Sequence, residues 1–343
     1  MKAIVVHAAK DLRIETREVA EPGAGEVLVR MAMGGICGSD LHYYNHGGFG
    51  AVRLREPMVL GHEVSGFVEA VGAGVDGLEV GQLVAVSPSR PCGACDMCLR
   101  GQPNHCLSMR FYGSAMPFPH VQGAFSESLV VDARQCAPAD ELSSGHAAVA
   151  EPLAVCLHAA GLAGDMLGKR VLVTGCGPIG LLCVLVARAA GAAEIMATDI
   201  EQFPLEKALA VGADVAVNVS DGVAGLERYA AGKGTVDVHF ECSGVAAAVA
   251  SAVPVVRPGA TIVQVGLGGD MTLPMQAITA KELRLRGSFR FHDEFFVAVE
   301  MMRRGRIDVS PLITHEFGMD DAVEAFETAS DRTRAIKIQI RLS

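Results

Sequence analysis

Residues 171–180, VLVTGCGPIG, join a short apolar run to a glycine-rich turn, and an uncharged apolar segment follows directly. We predict a strand over Val171–Thr174 and a helix over Ile179–Ala190. The turn between them fits G-x-G-x-x-G, whose glycines allow a sharp turn and let a pyrophosphate approach the helix N-terminus. The stretch therefore predicts a dinucleotide site, with contacts from Gly175, Gly177, Pro178, Ile179 and Gly180.

The strand that follows ends on a carboxylate, Asp199, nineteen residues after Gly180. A carboxylate at this point can accept hydrogen bonds from both ribose hydroxyls, and it repels a 2′-phosphate. NAD is therefore the predicted cofactor, in preference to NADP. Both features also have a purely structural interpretation. The glycine motif could be a turn before a packed helix, and Asp199 could be an ordinary helix N-cap.

Strands and helical segments alternate between Glu151 and about residue 286, which predicts a parallel sheet with helices on both faces. The preceding part has short apolar runs separated by glycine, proline and acidic turns, a pattern typical of β-rich units. Because 343 residues exceed what one core usually supports, we expect two tightly packed domains. The last segments predict two helices and a closing strand: Phe295–Arg304, Ala322–Ser330 and Ala335–Leu342.

Charge and composition exclude several classes of function. The net charge is −10 and no basic run is present, which argues against nucleic acid or anionic membrane as partner. The first residues indicate a strand rather than an export signal, and glycines interrupt the uncharged residues 171–187, so no membrane span is expected. The ten cysteines should then be reduced, as in a cytoplasmic protein.

Four cysteines lie within fifteen residues, with the spacing C-x2-C-x2-C-x7-C: Cys92, Cys95, Cys98 and Cys106. This spacing predicts a closed, all-thiolate zinc site that holds a loop. An iron–sulfur cluster is the alternative, but the seven-residue gap and the lack of a following Cys-Pro favour zinc. Since four thiolates leave no open position, this zinc is expected to be structural.

A second, scattered set combines sulfur, nitrogen and oxygen donors: Cys37, His62, Glu63 and Glu151. Mixed donors are typical of an open catalytic zinc site that keeps one exchangeable position. Adjacent side chains on a regular strand point to opposite faces, so either the backbone bends at His62 and Glu63 or one of the two supports the site without binding the metal. Glu151 is the competing third ligand.

Taken together, these motifs resemble those of the zinc-dependent medium-chain dehydrogenase/reductase family, and the resemblance covers essentially the whole chain. Within the family, the chain is similar to the polyol branch, which includes sorbitol dehydrogenase. The segments that carry the resemblance are GGICGSDLHYY (34–44), PMVLGHEV (57–64), SPSRPCGACDMC (87–98), MRFYGSAMPFPHVQGAF (109–125), AEPLAV (150–155) and GSFRF (287–291).

The resemblance implies an α/β protein in which a GroES-like β-barrel catalytic domain, residues 1–150 and 287–343, is interrupted by a Rossmann domain, residues 151–286. It implies that Cys37, His62 and Glu63 ligate a catalytic zinc, which Glu151 reaches directly or through water. The remaining implied roles are a proton relay (Ser39, His42), polyol contacts (Tyr43, Arg290) and the nicotinamide side of the cleft (Gly266, Leu267, Ser288, Phe289). A homotetramer or homodimer is expected.

One departure concerns the ribose end of the cofactor. Sorbitol-type enzymes commonly place an arginine about five residues after the ribose-binding acid, whereas Asp199–Pro204 contains no basic residue. This puts the ribose contact on that side in doubt. It also strengthens the predicted preference against NADP, since an arginine there could have paired with the extra phosphate.

The expected reaction is hydride transfer between a secondary alcohol and NAD, with L-idonate oxidised to 5-ketogluconate as the first candidate. Zinc would stabilise the alkoxide, and Ser39 and His42 would carry the proton outward, since an imidazole pKa of about 6.5 suits such a relay. The idonate carboxylate requires an arginine, for which Arg110 and Arg290 are the candidates. The alternatives are a sorbitol- or xylitol-type polyol dehydrogenase and a non-catalytic NAD sensor.

Overall fold

The computed structural model describes residues 1–343. The twenty strands are β1 (Lys2–Ala8), β2 (Asp11–Thr16), β3 (Glu26–Gly35), β4 (Gly48–Phe49), β5 (Val52–Arg53), β6 (Met58–Val59), β7 (Glu63–Val71), β8 (Leu83–Val86), β9 (Ser89–Arg90), β10 (Arg110–Phe111), β11 (Ser128–Asp132), β12 (Cys136–Pro138), β13 (Arg170–Thr174), β14 (Glu194–Asp199), β15 (Val215–Asn218), β16 (Val236–Glu241), β17 (Val256–Gln264), β18 (Arg284–Gly287), β19 (Ile313–Gly318) and β20 (Lys337–Arg341). The ten α-helices are α1 (Gly38–His46), α2 (Asp96–Leu99), α3 (Ser144–Ala148), α4 (Ala150–Ala163), α5 (Pro178–Ala189), α6 (Gln202–Ala210), α7 (Ala246–Ala252), α8 (Met275–Ala280), α9 (Glu294–Arg303) and α10 (Ala322–Ala329).

A six-stranded, wholly parallel sheet has the order β15-β14-β13-β16-β17-β18. This is the doubly wound order, in which the strand sequence reverses beside the first strand and opens a crevice at the carboxyl ends. β13 lies at that reversal, and four of its five residues are buried. The predicted Rossmann sheet is therefore confirmed, and its crevice lies between the carboxyl ends of β13 and β16.

A second, mostly antiparallel sheet has the order β12-β8-β7-β3-β20-β19, with β11 also paired to β3. Its strands come from residues 26–138 and 313–341, so the two ends of the chain complete one sheet. Strand β20 pairs with β3 and thereby brings the C-terminal segment against the segment that contains Cys37. The predicted GroES-like part is confirmed as a β-rich unit of this kind.

Helix α4 connects the two sheets and brings Glu151 into the interior. It packs on α5 and α9, and its buried side chains belong to the same core cluster as those of β13. Pro152 lies in the first turn of the helix, where a backbone N–H would have no acceptor within the helix, so the proline costs no hydrogen bond. Glu151 is therefore held on a fixed helix start at the junction of the two sheets. None of the helices is both long and apolar enough to cross a membrane.

Candidate metal and nucleotide sites

The sulfur, nitrogen and oxygen donors of Cys37, His62 and Glu63 lie within 4.8 Å of one another. Cys37 caps the N-terminus of α1, while His62 and Glu63 lie at the start of β7. Burial raises the pKa of the Cys37 thiol to about 12, and the charges of Glu63 and Asp40 add to that effect. A divalent cation at this point would offset both the burial of the thiol and the repulsion by the two carboxylates. The donor set therefore fits a zinc ion.

A bend before β7 allows the neighbouring residues His62 and Glu63 to serve one site. Gly61 adopts φ +90°, and a Cβ on it would meet the ring of Phe125 at 2.0 Å. Only glycine satisfies both conditions, because the left-handed region and the close approach each penalise a side chain. Of the two possibilities that the sequence left open for this pair, the structure has the bent backbone.

Asp40 lies behind His62 and was not predicted from the sequence. Its buried carboxylate accepts the backbone N–H groups of Cys37 and Gly61, at 3.0 and 3.1 Å. The Nδ1 atom of His62 lies 3.8 Å from Asp40 Oδ1 and has no hydrogen-bond partner. A carboxylate behind a metal-binding histidine fixes its tautomer and orientation.

Lys337 provides the second feature that was not predicted from the sequence, an ion pair with Glu63 inside the protein. Its Nζ donates to both oxygens of Glu63, at 2.8 and 2.7 Å, and to the carbonyl of Ile36 at 3.1 Å. Burial alone would lower the pKa of Lys337, but Glu63 and Cys37 outweigh burial and the pKa is raised. Since an unpaired buried charge costs about 3–5 kcal/mol, the pair fixes the Glu63 carboxylate in position.

Glu151 is buried beside these donors but lies outside the group whose donor atoms are within 4.8 Å. Burial raises its pKa to about 8; His62 opposes the shift and Glu63 favours it. The geometry thus favours Glu63 over Glu151 as the third donor. Glu151 is close enough to interact electrostatically with the site.

The proposed relay residues lie on helix α1, next to Cys37. Ser39 is half-buried and His42 is exposed. Because Ser39 and His42 are three positions apart in α1, they occupy the same helix face. Desolvation of the ring lowers the pKa of His42, and His46 lowers it further, so the imidazole is a neutral proton acceptor near pH 7. The order from interior to surface is therefore Cys37, Ser39, His42.

Arg290 carries a half-buried guanidinium that pairs with no carboxylate and whose one side-chain hydrogen bond is to the Met116 sulfur, at 3.6 Å. Its carbon Cζ lies 4.2 Å from the ring centre of Phe111 and 4.9 Å from that of Phe289. The ring of Phe111 in turn lies 5.6 Å from that of His62, which places the cation near the metal-binding donors. Burial lowers the pKa of Arg290, while Glu151 and Tyr43 act in the opposite direction.

Arg110 and Tyr43 are placed differently from Arg290. Arg110 is exposed on β10, and because successive strand residues face opposite ways, it points away from the side where Phe111 packs near His62. Tyr43 is buried, and its hydroxyl accepts the N–H of Ala115 at 3.0 Å. The structure therefore brings Arg290 and Tyr43, but not Arg110, toward the candidate metal site.

The four cysteines of residues 92–106 converge on one point, with all sulfurs within 4.8 Å of one another. Sulfur–sulfur distances of 3.5 and 3.9 Å join Cys95 to Cys98 and Cys106. Backbone N–H groups of Cys98 and Leu107 point at the Cys95 sulfur and lower its pKa to about 6. Four converging sulfurs with N–H donors are the environment of a structural zinc thiolate site.

This lobe also contacts the segment that carries Arg290. The Asn104 side chain donates to the carbonyl of Phe289 at 3.1 Å, and the His105 ring stacks on the Phe289 ring at 6.0 Å. The cysteine lobe is therefore placed to brace the loop next to Arg290. Neither contact was predicted, because 184 or more residues separate the partners.

The glycine-rich turn has the geometry that the sequence predicts. Gly175 has φ +84°, and a Cβ on Gly180 would meet the Gly175 carbonyl oxygen at 1.8 Å. A Cβ on Gly177, by contrast, would meet nothing within 4 Å, so the N-terminus of α5 is open to a ligand. The residues fit a bound pyrophosphate, with Pro178 and Ile179 in the first turn of the helix.

The nicotinamide-side residues follow β17 and β18 at the same edge of the sheet as Gly175. Gly266 packs against Gly244, where an added Cβ would lie 2.2 Å from the backbone nitrogen, and Leu267 is exposed. The Ser288 hydroxyl is buried without a hydrogen-bond partner, a condition that a bound ligand would relieve. Phe289 follows it, partly exposed.

Comparison with known proteins agrees with this geometry. Residues 23–141 match the alcohol dehydrogenase GroES-like domain, and residues 178–304 match the zinc-binding dehydrogenase family. An L-idonate 5-dehydrogenase (NAD(P)(+)) of Escherichia coli K12 is 43% identical over 340 residues, which cover 98% of this chain and 97% of that protein. A sorbitol dehydrogenase of Gallus gallus is 39% identical over 346 residues, covering 99% and 96%.

Among solved structures, the crystal structure of Escherichia coli L-idonate 5-dehydrogenase has a TM-score of 0.95 and 42% identity, covering 99% of this chain and 97% of that one. Zinc and a nicotinamide dinucleotide are the cofactors of such enzymes, so both predicted cofactors are confirmed. With two domain matches, relatives of this identity along the full chain and the donor sets described above, this chain belongs to the zinc-dependent medium-chain dehydrogenase family.

Proposed function

We propose that the chain catalyses reversible oxidation of a secondary hydroxyl group on a sugar acid or polyol, with NAD as hydride acceptor. L-idonate, oxidised to 5-ketogluconate, is the first candidate substrate. The observation that carries this choice is the unpaired Arg290 guanidinium beside the zinc donors. The L-idonate 5-dehydrogenase of Escherichia coli and the sorbitol dehydrogenase of Gallus gallus, both similar to this chain, support the same substrate class.

When bound, zinc supplies a Lewis acid that lowers the pKa of the substrate hydroxyl, and the nicotinamide accepts the hydride. Cys37, His62 and Glu63 would hold the metal, Asp40 orients the histidine, and Lys337 holds the glutamate. Ser39 would take the hydroxyl proton and pass it to the neutral imidazole of His42, from which water would remove it. The alcohol thereby loses one proton and one hydride to give the ketone.

Arg290 would bind the substrate carboxylate. A guanidinium pairs bidentately with a carboxylate, and the flanking rings of Phe111 and Phe289 restrict it to one orientation. A neutral polyol offers only hydroxyl groups to the same arginine, a weaker interaction. Sorbitol or xylitol is the second candidate substrate class, favoured by the sorbitol dehydrogenase relatives. A non-catalytic NAD sensor is not supported.

The substrate proposal is tested by steady-state kinetics of Arg290→Gln on L-idonate and on sorbitol. We expect kcat/KM for idonate to fall about 10- to 100-fold more than that for sorbitol, the cost of a lost charge-assisted hydrogen bond. Arg110→Gln is the matched control and should change both substrates equally. Equal losses in the Arg290 variant, or a wild type that prefers sorbitol, would exclude the carboxylate role.

We also propose that the chain forms a homodimer or homotetramer, with the edge of the parallel sheet as one contact. Strand β18 ends that sheet with all four residues exposed, Leu285 among them at 41%. An exposed edge strand offers unpaired N–H and C=O groups for pairing with a second copy. Light scattering should give twice or four times the mass of one chain, and Leu285→Lys should reduce it. A wild type of single-chain mass contradicts this proposal.

A reducing compartment, the cytoplasm, is the proposed location. All ten cysteines are free thiols, and nine of them belong to the metal donor sets or to buried positions. Thiolate zinc sites require reduced cysteines, which the cytoplasm maintains.

A further inference from the structure

Arg332 forms an ion pair with the ribose-binding carboxylate from the far end of the chain. Its Nη2 donates to Oδ2 and Oδ1 of Asp199, at 2.9 and 3.2 Å. Asp199 ends β14 of the parallel sheet, while Arg332 lies between α10 and β20, 133 residues later. The local stretch after Asp199 contains no basic residue, yet the structure supplies one there.

Both residues line one cavity of about 390 Å³ at the carboxyl ends of β13 and β14. Gly175 of the glycine-rich turn lines it as well, which identifies it as the adenosine end of the dinucleotide site. Ile200, Val223 and Val245 give it apolar walls that suit an adenine ring. The ion pair therefore lies where the ribose of the cofactor has to bind.

The carboxylate keeps its position without the arginine. Asp199 also accepts the backbone N–H groups of Cys176, Ile200 and Glu201, at 2.6, 2.8 and 3.1 Å. Arg332 can bind a further group, because only its Nη2 atom forms a hydrogen bond and 53% of the side chain is exposed. Its remaining N–H donors point to no protein acceptor and are available to a ligand.

We infer that Arg332 determines cofactor choice, by binding a 2′-phosphate on the adenosine ribose so that NADP is accepted alongside NAD. The expectation against NADP treated Asp199 as an unpaired negative charge, but the guanidinium neutralises it and adds donors that match a phosphate. With NAD, the ribose hydroxyls can donate to Asp199 while Arg332 stays beside it. The inference rests on the nucleotide site described above and not on the identity of the alcohol.

Binding of adenosine nucleotides tests this without any alcohol substrate. Calorimetry should give a measurable Kd for 2′,5′-ADP on the wild-type protein, with 5′-AMP as the reference ligand. In Arg332→Ala, the affinity for 2′,5′-ADP relative to 5′-AMP should fall about 10- to 100-fold, because a charge-assisted phosphate contact is lost. The ratio of kcat/KM for NADP to that for NAD should fall in parallel.

Arg334→Ala is the matched control, since that exposed arginine of the same loop pairs with Asp331. It should leave the nucleotide ratio unchanged, and Arg332→Lys should give a smaller loss than alanine because it keeps the charge. An unchanged ratio in both Arg332 variants, or a wild type that binds 5′-AMP but not 2′,5′-ADP, would overturn the inference. A wild type that binds neither nucleotide would overturn the nucleotide site itself.

Discussion

Replacing Cys37 with serine should remove one zinc ion per chain and lower kcat about 1,000-fold or more, while the fold survives. The loss follows from the several kcal/mol by which a bound metal stabilises transition-state charge, at about 1.4 kcal/mol per tenfold in rate. The fold should survive because Asp40 accepts the backbone N–H of residue 37, a contact that the substitution retains. Turnover, metal content and circular dichroism of the purified variant check this prediction.

Cys136→Ser is the matched control for the Cys37 variant. Cys136 is a buried free thiol on β12 that belongs to neither donor set. It should retain both zinc ions and most of the activity. A Cys37→Ser variant with wild-type turnover would show that the mixed donor set is not the catalytic metal site.

Replacing Cys95 with serine should lower the thermal unfolding midpoint by about 10 °C or more. A structural zinc contributes about 10 kcal/mol of folding free energy directly. For 343 residues each kcal/mol corresponds to about 1–2 °C in the unfolding midpoint. Cys95 is chosen because its sulfur lies close to two of the other three and accepts two backbone N–H groups. Scanning calorimetry and zinc analysis measure the effect.

The same substitution should also raise the KM for the sugar acid, because the lobe holds Phe289 next to Arg290 through Asn104 and His105. Leu99→Ser is the control, an exposed position of the same lobe that contributes no ligand. It should leave the unfolding midpoint and the zinc content as in the wild type. A Cys95→Ser protein that lacks one zinc yet unfolds at the wild-type temperature would contradict a structural role.

The nucleotide half of the molecule could be predicted from the sequence because its signals are local. A strand, a glycine turn and a helix follow one another within twenty residues, and the predicted helix Ile179–Ala190 agrees with α5 to within one residue. The parallel sheet predicted from the alternation of strands and helices up to about residue 286 likewise agrees with β13–β18. Helix α4 was not predicted, because a proline usually indicates a break in a helix. Pro152 lies in the first turn of α4, where proline is tolerated.

The surroundings of the metal donors could not be predicted, since they depend on contacts between distant segments. Lys337 lies 274 residues from Glu63 and reaches it because β20 pairs with β3. A lysine between Ile336 and Ile338 in the closing strand was the available signal, since a charge buried in a sheet requires a partner. Arg332 gave no such signal, and the assignments of individual site residues and of the domain boundaries remain predictions.

Zinc content measured beside turnover on L-idonate and NAD, in the wild type and the Cys37→Ser and Cys95→Ser variants, tests the central claim most directly. Two metal centres with separate roles predict two zinc ions per chain in the wild type and one in each variant, with most activity lost only in Cys37→Ser. A coloured, iron-containing wild type, or full turnover in a Cys37→Ser protein that has lost a zinc ion, would contradict the account.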